Sequence, residues 1–565
     1  MRFLALIALT LLPLVSEART LLQVPADKLG KPVLFGSRLI DVNRAGGKVF
    51  APGQRNPQSV LMHFEMAPDS TVALVPAGPP PGRRPRGLEK RVHPVHFPLA
   101  QVAADGSLVL DVTEYFSSYP HQVSAIPPKE LEKETQLSCS LEVSGSGEYL
   151  QVTGEYHYAS GLAVTAACYL LFLPEDPMPQ QKLQGYSGDL HSYRWDLSRH
   201  PVITVYVDKA FPESWFPYIR EGVEDWNKAF EAAGLGSPLH VLPEPEGLDR
   251  YSPLVNMVRY MDVEEANAKG DVLTDPRSGE ILQGDILWWK NVKDLICDWR
   301  YVQTGVAQPA AREEEYPMEM LGPMIRYSVC HEMGHVLGLN HNMGASWSYP
   351  SDSLRSPSFT RRYGTTASVM DYARYNHLAT SADVARGVSL LPPRLGPYDY
   401  YAIGLGYAAR APQAGEYCYY APFISAAISP DPSAQAETLG DDLFASSAAG
   451  IRNCRALLSL DGMNEHRQEL VRKQYYRYLW LMLSNIGGSV SGVPVKEKEQ
   501  TRTLKFVLEN LATVPEQLKD PSQERRILDE LDGNFLPVRV QETLGEKALK
   551  RYRGRLNRLR RRYGL

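Results

Sequence analysis

The chain has 565 residues, enough for two or three domains with cores of their own. Hydrophobic residues make up 44% and charged residues 22%, ordinary values for a globular protein. A formal charge of −5 gives no ground for a nucleic-acid or polyanionic partner.

Residues 1–18 read MRFLALIALTLLPLVSEA. A basic residue precedes an apolar run, and Ser16-Glu17-Ala18 supplies small residues at a cleavage position. This predicts a secretory signal peptide, a mature chain starting near Arg19, and export to a periplasmic, cell-surface or secreted location. The apolar run is short for a bilayer span, and no later segment is apolar enough to cross one. No cysteine follows the cleavage position, which argues against a lipid anchor.

Residues 19–195 alternate apolar and polar side chains in short runs: Ser59–Met66, Ser107–Val112, Tyr149–Tyr158 and Leu162–Leu173. Gly- and Pro-rich turns separate them, so this part is expected to be a β-rich domain. Pro76–Gly87 carries no folding signal of its own and reads as a loop.

Residues 196–401 change pattern. A strand is predicted at Val202–Val207, then a helix over Pro212–Ala233. Trp215, Ile219, Val223, Trp226 and Phe230 form an apolar stripe on that helix, read as core. Strands follow at Leu254–Tyr260 and, after the turn Asp275–Glu280, at Ile281–Trp289. A helix is expected over Met318–Leu339.

That helix carries the chain's most specific signal. Residues 331–341 have the form H-E-x-x-H-x-x-G-x-x-H. Chance occurrence in a chain of this length and composition is about three in 100,000. His331 and His335 are four apart, so both imidazoles leave one helix face toward a single metal ion. Gly338 can adopt a left-handed conformation, end the helix and bring His341 round as a third ligand. Three protein ligands leave a tetrahedral position open, as in catalytic zinc sites. Glu332 is placed to take a proton from metal-activated water.

Residues 402–565 are expected to be mainly helical, with helices at Arg467–Ile486 and Lys496–Leu511. A basic tail over Lys550–Arg562 reads as a solvated helix or frayed end, with an anionic surface as the functional alternative. Six cysteines in an exported chain permit disulfides, and pairs in sequence order (139–168, 297–330, 418–454) are the simplest expectation. The rival reading of Cys330 is a small buried apolar residue.

The long histidine motif followed by Ser368-Val369-Met370-Asp371-Tyr372 resembles the metzincin clan of zinc endopeptidases. The resemblance implies that Met370 forms an apolar floor beneath the metal in a tight turn. It also implies that Tyr372 hydrogen-bonds the oxyanion of a tetrahedral intermediate; a packed aromatic is the alternative. Glu221–Gly234, Asp275–Glu280 and His341–Ser346 look like an exported zinc metalloprotease family, common in Bacteroidota, with an uncharacterised β domain ahead of the metzincin unit. The chain is shorter than that pattern at its C-terminal end and departs from it over Lys182–Trp195.

The expected fold is therefore multidomain α+β. An N-terminal mainly antiparallel β domain precedes a metzincin-like unit, built of a twisted sheet and a long active-site helix, and a helical C-terminal region. The expected activity is hydrolysis of protein or peptide substrates with one Zn2+ as the only cofactor. An edge strand near Ile281–Trp289 is expected to pair with an extended peptide. The alternatives are a zinc hydrolase of cell-wall or other amides, and a binding protein with a vestigial metal site. Tyr186-Ser187-Gly188-Asp189 resembles the aspartate switch of astacin-like precursors, although a polar turn is the preferred reading.

Overall fold

The computed structural model describes residues 19–43, 52–56, 59–78, 91–179, 193–392, 394–408, 412–422, 429, 431–460, 463–490, 492–532 and 546–562. The signal-peptide and aspartate-switch readings fall on residues 1–18 and 186–189, outside the described residues, as does 79–87 of the expected loop. The chain divides into two compact units.

The first unit holds residues up to Pro177 together with Tyr251–Pro253 and Asp275–Arg277. Its strands are β1 (Leu21–Val24), β2 (Val33–Val42), β3 (Val60–Met66), β4 (Thr71–Pro76), β5 (Val95–Val102), β6 (Leu108–Asp111), β7 (Gln136–Gly145), β8 (Tyr149–Tyr158) and β9 (Ala163–Phe172). They pair antiparallel in the order β1-β6-β5-β4-β3-β2-β9-β8-β7. The four runs of alternating residues noted above appear as β3, β6, β8 and β9. Alternation puts Phe35, Phe64, Leu110 and Leu170 into one buried cluster. Two single-turn helices, α1 (Thr113–Phe116) and α2 (Pro128–Leu131), lie between β6 and β7 in sequence.

The second unit contains residues 178–250, 254–274 and 278–565. Strands β10 (Ile203–Val207), β11 (Leu239–Pro243), β12 (Asn256–Met261), β13 (Ala268–Thr274) and β14 (Ile281–Trp289) form a sheet in the order β11-β10-β12-β14-β13. The first four run parallel; β13 runs antiparallel to β14. This corrects the edge-strand expectation. Ile281–Trp289 is an inner strand, and the edge on that side is Ala268–Thr274. β14 reads as a run of buried residues because both its edges are paired and its side chains are covered.

The helix expected over Pro212–Ala233 is divided into α3 (Phe216–Glu224) and α4 (Asn227–Ala232). The break falls at Asp225-Trp226. There the Asp225 carboxylate is held by Arg326, and the Trp226 indole N–H donates to the Cys330 carbonyl at 2.9 Å. The apolar stripe is core: Trp226 and Phe230 are fully buried. Then come α5 (Val292–Thr304), α6 (Met318–Val336), α7 (Pro357–Tyr363), α8 (Ser381–Ala385) and α9 (Pro397–Tyr407). The chain continues as α10 (Leu443–Leu457), α11 (Glu465–Met482), α12 (Ser484–Gly487), α13 (Glu497–Ala512), α14 (Pro521–Glu530) and α15 (Glu546–Arg562). Tyr301 and Val302 of α5 share a core with α10, α11 and α13. The basic tail is α15, which turns Leu556 and Leu559 inward while Arg560 pairs with Asp529 and Asp532. No described helix is long and apolar enough to cross a membrane.

No disulfide forms among the described residues, so the sequential cysteine pairs are not bridged. Cys139 on β7 and Cys168 on β9 are separated by β8, opposite Tyr156 and Val152 respectively. Two strand spacings amount to about 9–10 Å, beyond the reach of a disulfide. Cys330 is buried and donates to the Arg394 carbonyl at 3.4 Å; Cys454 is fully buried in the helical core.

Candidate metal centre

Helix α6 carries His331 and His335 on one face, one turn apart. The Gly338 N–H donates to the His335 carbonyl and the Leu339 N–H to the Gly334 carbonyl, both at 2.9 Å. This pair of bonds is a Schellman termination and requires a left-handed residue at Gly338, whose φ is 87°. A side chain there would also overlap the Tyr193 carbonyl oxygen. The chain turns sharply and carries His341 back to the helix.

The three imidazoles converge. One nitrogen from each of His331, His335 and His341 lies within 4.8 Å of the others. The His331 Nδ1 bonds the Val369 carbonyl at 2.6 Å, and the His335 Nδ1 bonds the Leu339 carbonyl at 2.8 Å. A carbonyl only accepts, so each Nδ1 carries the proton and each Nε2 keeps its lone pair. The Nε2 atoms of His335 and His341 face each other at 3.1 Å. Burial, and then the charges of His335 and His341, hold the His331 pKa well below its ordinary value. Burial lowers that of His335, and takes His341 down to about 4. Three imidazoles that bring one nitrogen each to a common point are a donor set that fits zinc.

Residues 313–561 match a family model described as Met-zincin. No curated protein and no solved structure matches the chain. The matched stretch begins ahead of α6 and includes the triad, Met370 and Tyr372. Together with the convergent histidines it supports a metzincin-type zinc metalloprotease.

Glu332 leaves α6 on a different side from the histidines. Its carboxylate accepts the Gly270 backbone N–H of β13 at 2.8 Å. Burial raises its pKa to about 7, against the lowering effect of that bond. Gly270 is closely apposed to α6: an added Cβ would stand 2.6 Å from both the Glu332 carbonyl oxygen and the His335 Cβ.

Met370 is fully buried, its sulfur against α6 where Gly334 offers no side chain. Its turn is tied in on both sides. The Val369 carbonyl accepts from His331, and the Met370 carbonyl accepts the Asn342 N–H at 2.9 Å, one residue beyond His341. Tyr372 lies beside the triad, with its ring centroid 4.6 Å from that of His341 and 5.4 Å from that of His331. Burial, and then the nearby Glu332 carboxylate, raise its pKa, opposed by Arg374.

Two supporting residues escaped the sequence reading. Gly270 is one. Asn342 is the other: fully buried, it donates from Nδ2 to the Tyr419 carbonyl at 2.9 Å and accepts the Ala421 N–H at 3.0 Å. A glycine inside a strand is a known mark of close approach and is the signal that could have singled out Gly270. Asn342 carries no such local mark.

Proposed function

We propose that this chain is an exported zinc-dependent endopeptidase that holds one catalytic ion at His331, His335 and His341. The observation that carries the reading is the convergence of three imidazoles beside a buried carboxylate, Glu332, itself bonded to the sheet's edge strand. When bound, zinc supplies Lewis acidity and activates water for attack on a peptide carbonyl. Glu332 accepts the proton of that water on a carboxylate oxygen and delivers it to the leaving amine nitrogen. Tyr372 donates its phenol hydrogen bond to the carbonyl oxygen as charge develops there. The β13 edge pairs with the substrate backbone in extended form, which selects peptides over small amides. Met370 holds the floor of the site. Export is read from residues 1–18.

The test uses full-length zinc-loaded protein and casein, with and without a zinc chelator, beside Glu332→Ala. The reading expects cuts at internal peptide bonds that stop with chelator. It also expects them to be absent from a Glu332→Ala protein that keeps its zinc. Unimpaired cleavage by Glu332→Ala, or none by the zinc-loaded wild type, overturns it. Sequencing the N-terminus after expression in an export-competent host tests the start near Arg19.

A further inference from the structure

Two residues near the triad hold left-handed backbone conformations that side chains disfavour: Arg374 at φ 54° and Glu437 at φ 66°. They are bonded to each other. The Arg374 Nη1 donates to the Glu437 Oε1 at 2.7 Å, with side chains only 11% and 14% exposed. The Glu437 backbone N–H donates to the Tyr372 carbonyl at 3.1 Å. The Glu437 Oε2 accepts from the Gln474 Nε2 of α11 at 3.0 Å. The Arg374 guanidinium carbon lies 3.3 Å from the ring centroid of Trp299 on α5 and 5.5 Å from that of Tyr372.

A largely buried ion pair is weak evidence for stability, because both charges lose their hydration. Left-handed backbone at two such residues adds to the cost, and strain of this kind clusters at functional sites. What the arrangement achieves is the placement of one side chain. Tyr372 is held through its carbonyl by Glu437 and faced on its ring by the guanidinium. His331 and His341 also lie against that ring. We propose that Arg374 and Glu437 are positioning residues for Tyr372, setting the phenol against the histidine triad. A cation beside the ring also strengthens the phenol as a hydrogen-bond donor. Glu437 and Gln474 come from beyond residue 402, so the helical C-terminal part of the chain is a working part of the site.

This inference rests on the peptidase reading for its kinetic arm only. The structural arm uses full-length, metal-free protein with fluorotyrosine at position 372. Its fluorine resonance is expected to move in Arg374→Met and in Glu437→Gln, and to move less in Arg374→Lys, which keeps the charge but loses the planar fork. In the kinetic arm, Arg374→Met lowers kcat by about tenfold with KM within about twofold and zinc content unchanged. In a Tyr372→Phe background the same substitution costs less than about twofold, because it acts through the phenol. Arg374→Lys recovers part of the loss. An unmoved resonance in both Arg374→Met and Glu437→Gln, or full additivity with Tyr372→Phe, overturns the proposal. If Arg374→Met does not fold, Glu437→Gln and Arg374→Lys carry both arms. If the wild type cleaves no peptide, the peptidase reading fails, and the fluorine shifts alone decide the clamp.

Discussion

Glu332 accepts the Gly270 backbone N–H at 2.8 Å, a bond that joins the metal-binding motif to the edge strand of the sheet. The carboxylate next to His331 is thus oriented by main chain, on the strand proposed to align the substrate. The proton acceptor and the substrate-aligning edge share one frame, and moving β13 moves both.

Gly270→Ala tests that frame. The new Cβ would press on the Glu332 carbonyl and the His335 Cβ, and β13 must retreat. Overpacking of this kind costs about 1–3 kcal/mol, seen as a lower urea midpoint. Peptidase turnover should fall well beyond what the stability loss accounts for, while zinc content stays full. Wild-type turnover in a stably folded Gly270→Ala protein would show that the strand position is not critical.

Metal analysis addresses the triad. Purified wild-type protein should carry a single equivalent of zinc, and His335→Ala should lose most of it. At free zinc about a thousandfold above Kd, binding adds about 4 kcal/mol of stability, so chelation should lower the Tm of the wild type and barely change that of His335→Ala. Equal zinc content in the two proteins removes His335 from the ligand set.

For Tyr372→Phe the expected loss is in kcat, with little change in KM, because the phenol bond is made chiefly in the transition state. One oxyanion donor is worth about 3–4 kcal/mol. Steady-state kinetics on a single fluorogenic peptide separates the two constants. A variant as fast as wild type would reduce Tyr372 to packing.

Asp399 gives a pH signature. This fully buried carboxylate accepts from Ser368 Oγ at 2.5 Å, Val369 N at 2.9 Å and Gly396 N at 2.7 Å. Burial nevertheless raises its pKa from 3.8 to about 6. The folded state therefore favours the protonated form. Its contribution is fully present below the unfolded pKa near 3.8, and is lost as pH rises through about 6. The loss amounts to about 3 kcal/mol. Asn at 399 stays neutral and can keep all three bonds if the Ser368 hydroxyl rotates to accept. Relative to wild type, Asp399→Asn should gain stability between pH 4 and 6 and then level off. Urea midpoints of metal-free protein across that range will show it; parallel curves would mean that Asp399 titrates normally.

The sequence by itself determined the features whose causes are local. Residues four apart on a helix share a face, and a glycine past the last turn takes positive φ. His331, His335, Gly338 and His341 were therefore legible as one convergent set before any fold was known. Alternation marked β3, β6, β8 and β9 for the same reason, since a strand's two faces are written in successive residues. Tertiary structure alone decided what depends on strand order and on partners far along the chain. Ile281–Trp289 was recognisable as a strand but not as an inner one, because its second neighbour, β13, carries a glycine and two charged residues among its first four positions and shows no apolar run there. The short β11 and the helix α5 went unread, their patterns too brief or too polar on one side to stand out. The cysteine pairs failed because an intervening strand, not sequence spacing, sets the distance from Cys139 to Cys168. Gly270 and Glu332 are 62 residues apart, and Arg374 and Glu437 are 63 apart. No periodicity links such positions; only the packing of β13 on α6, and of the helical core beside α5, brings them together.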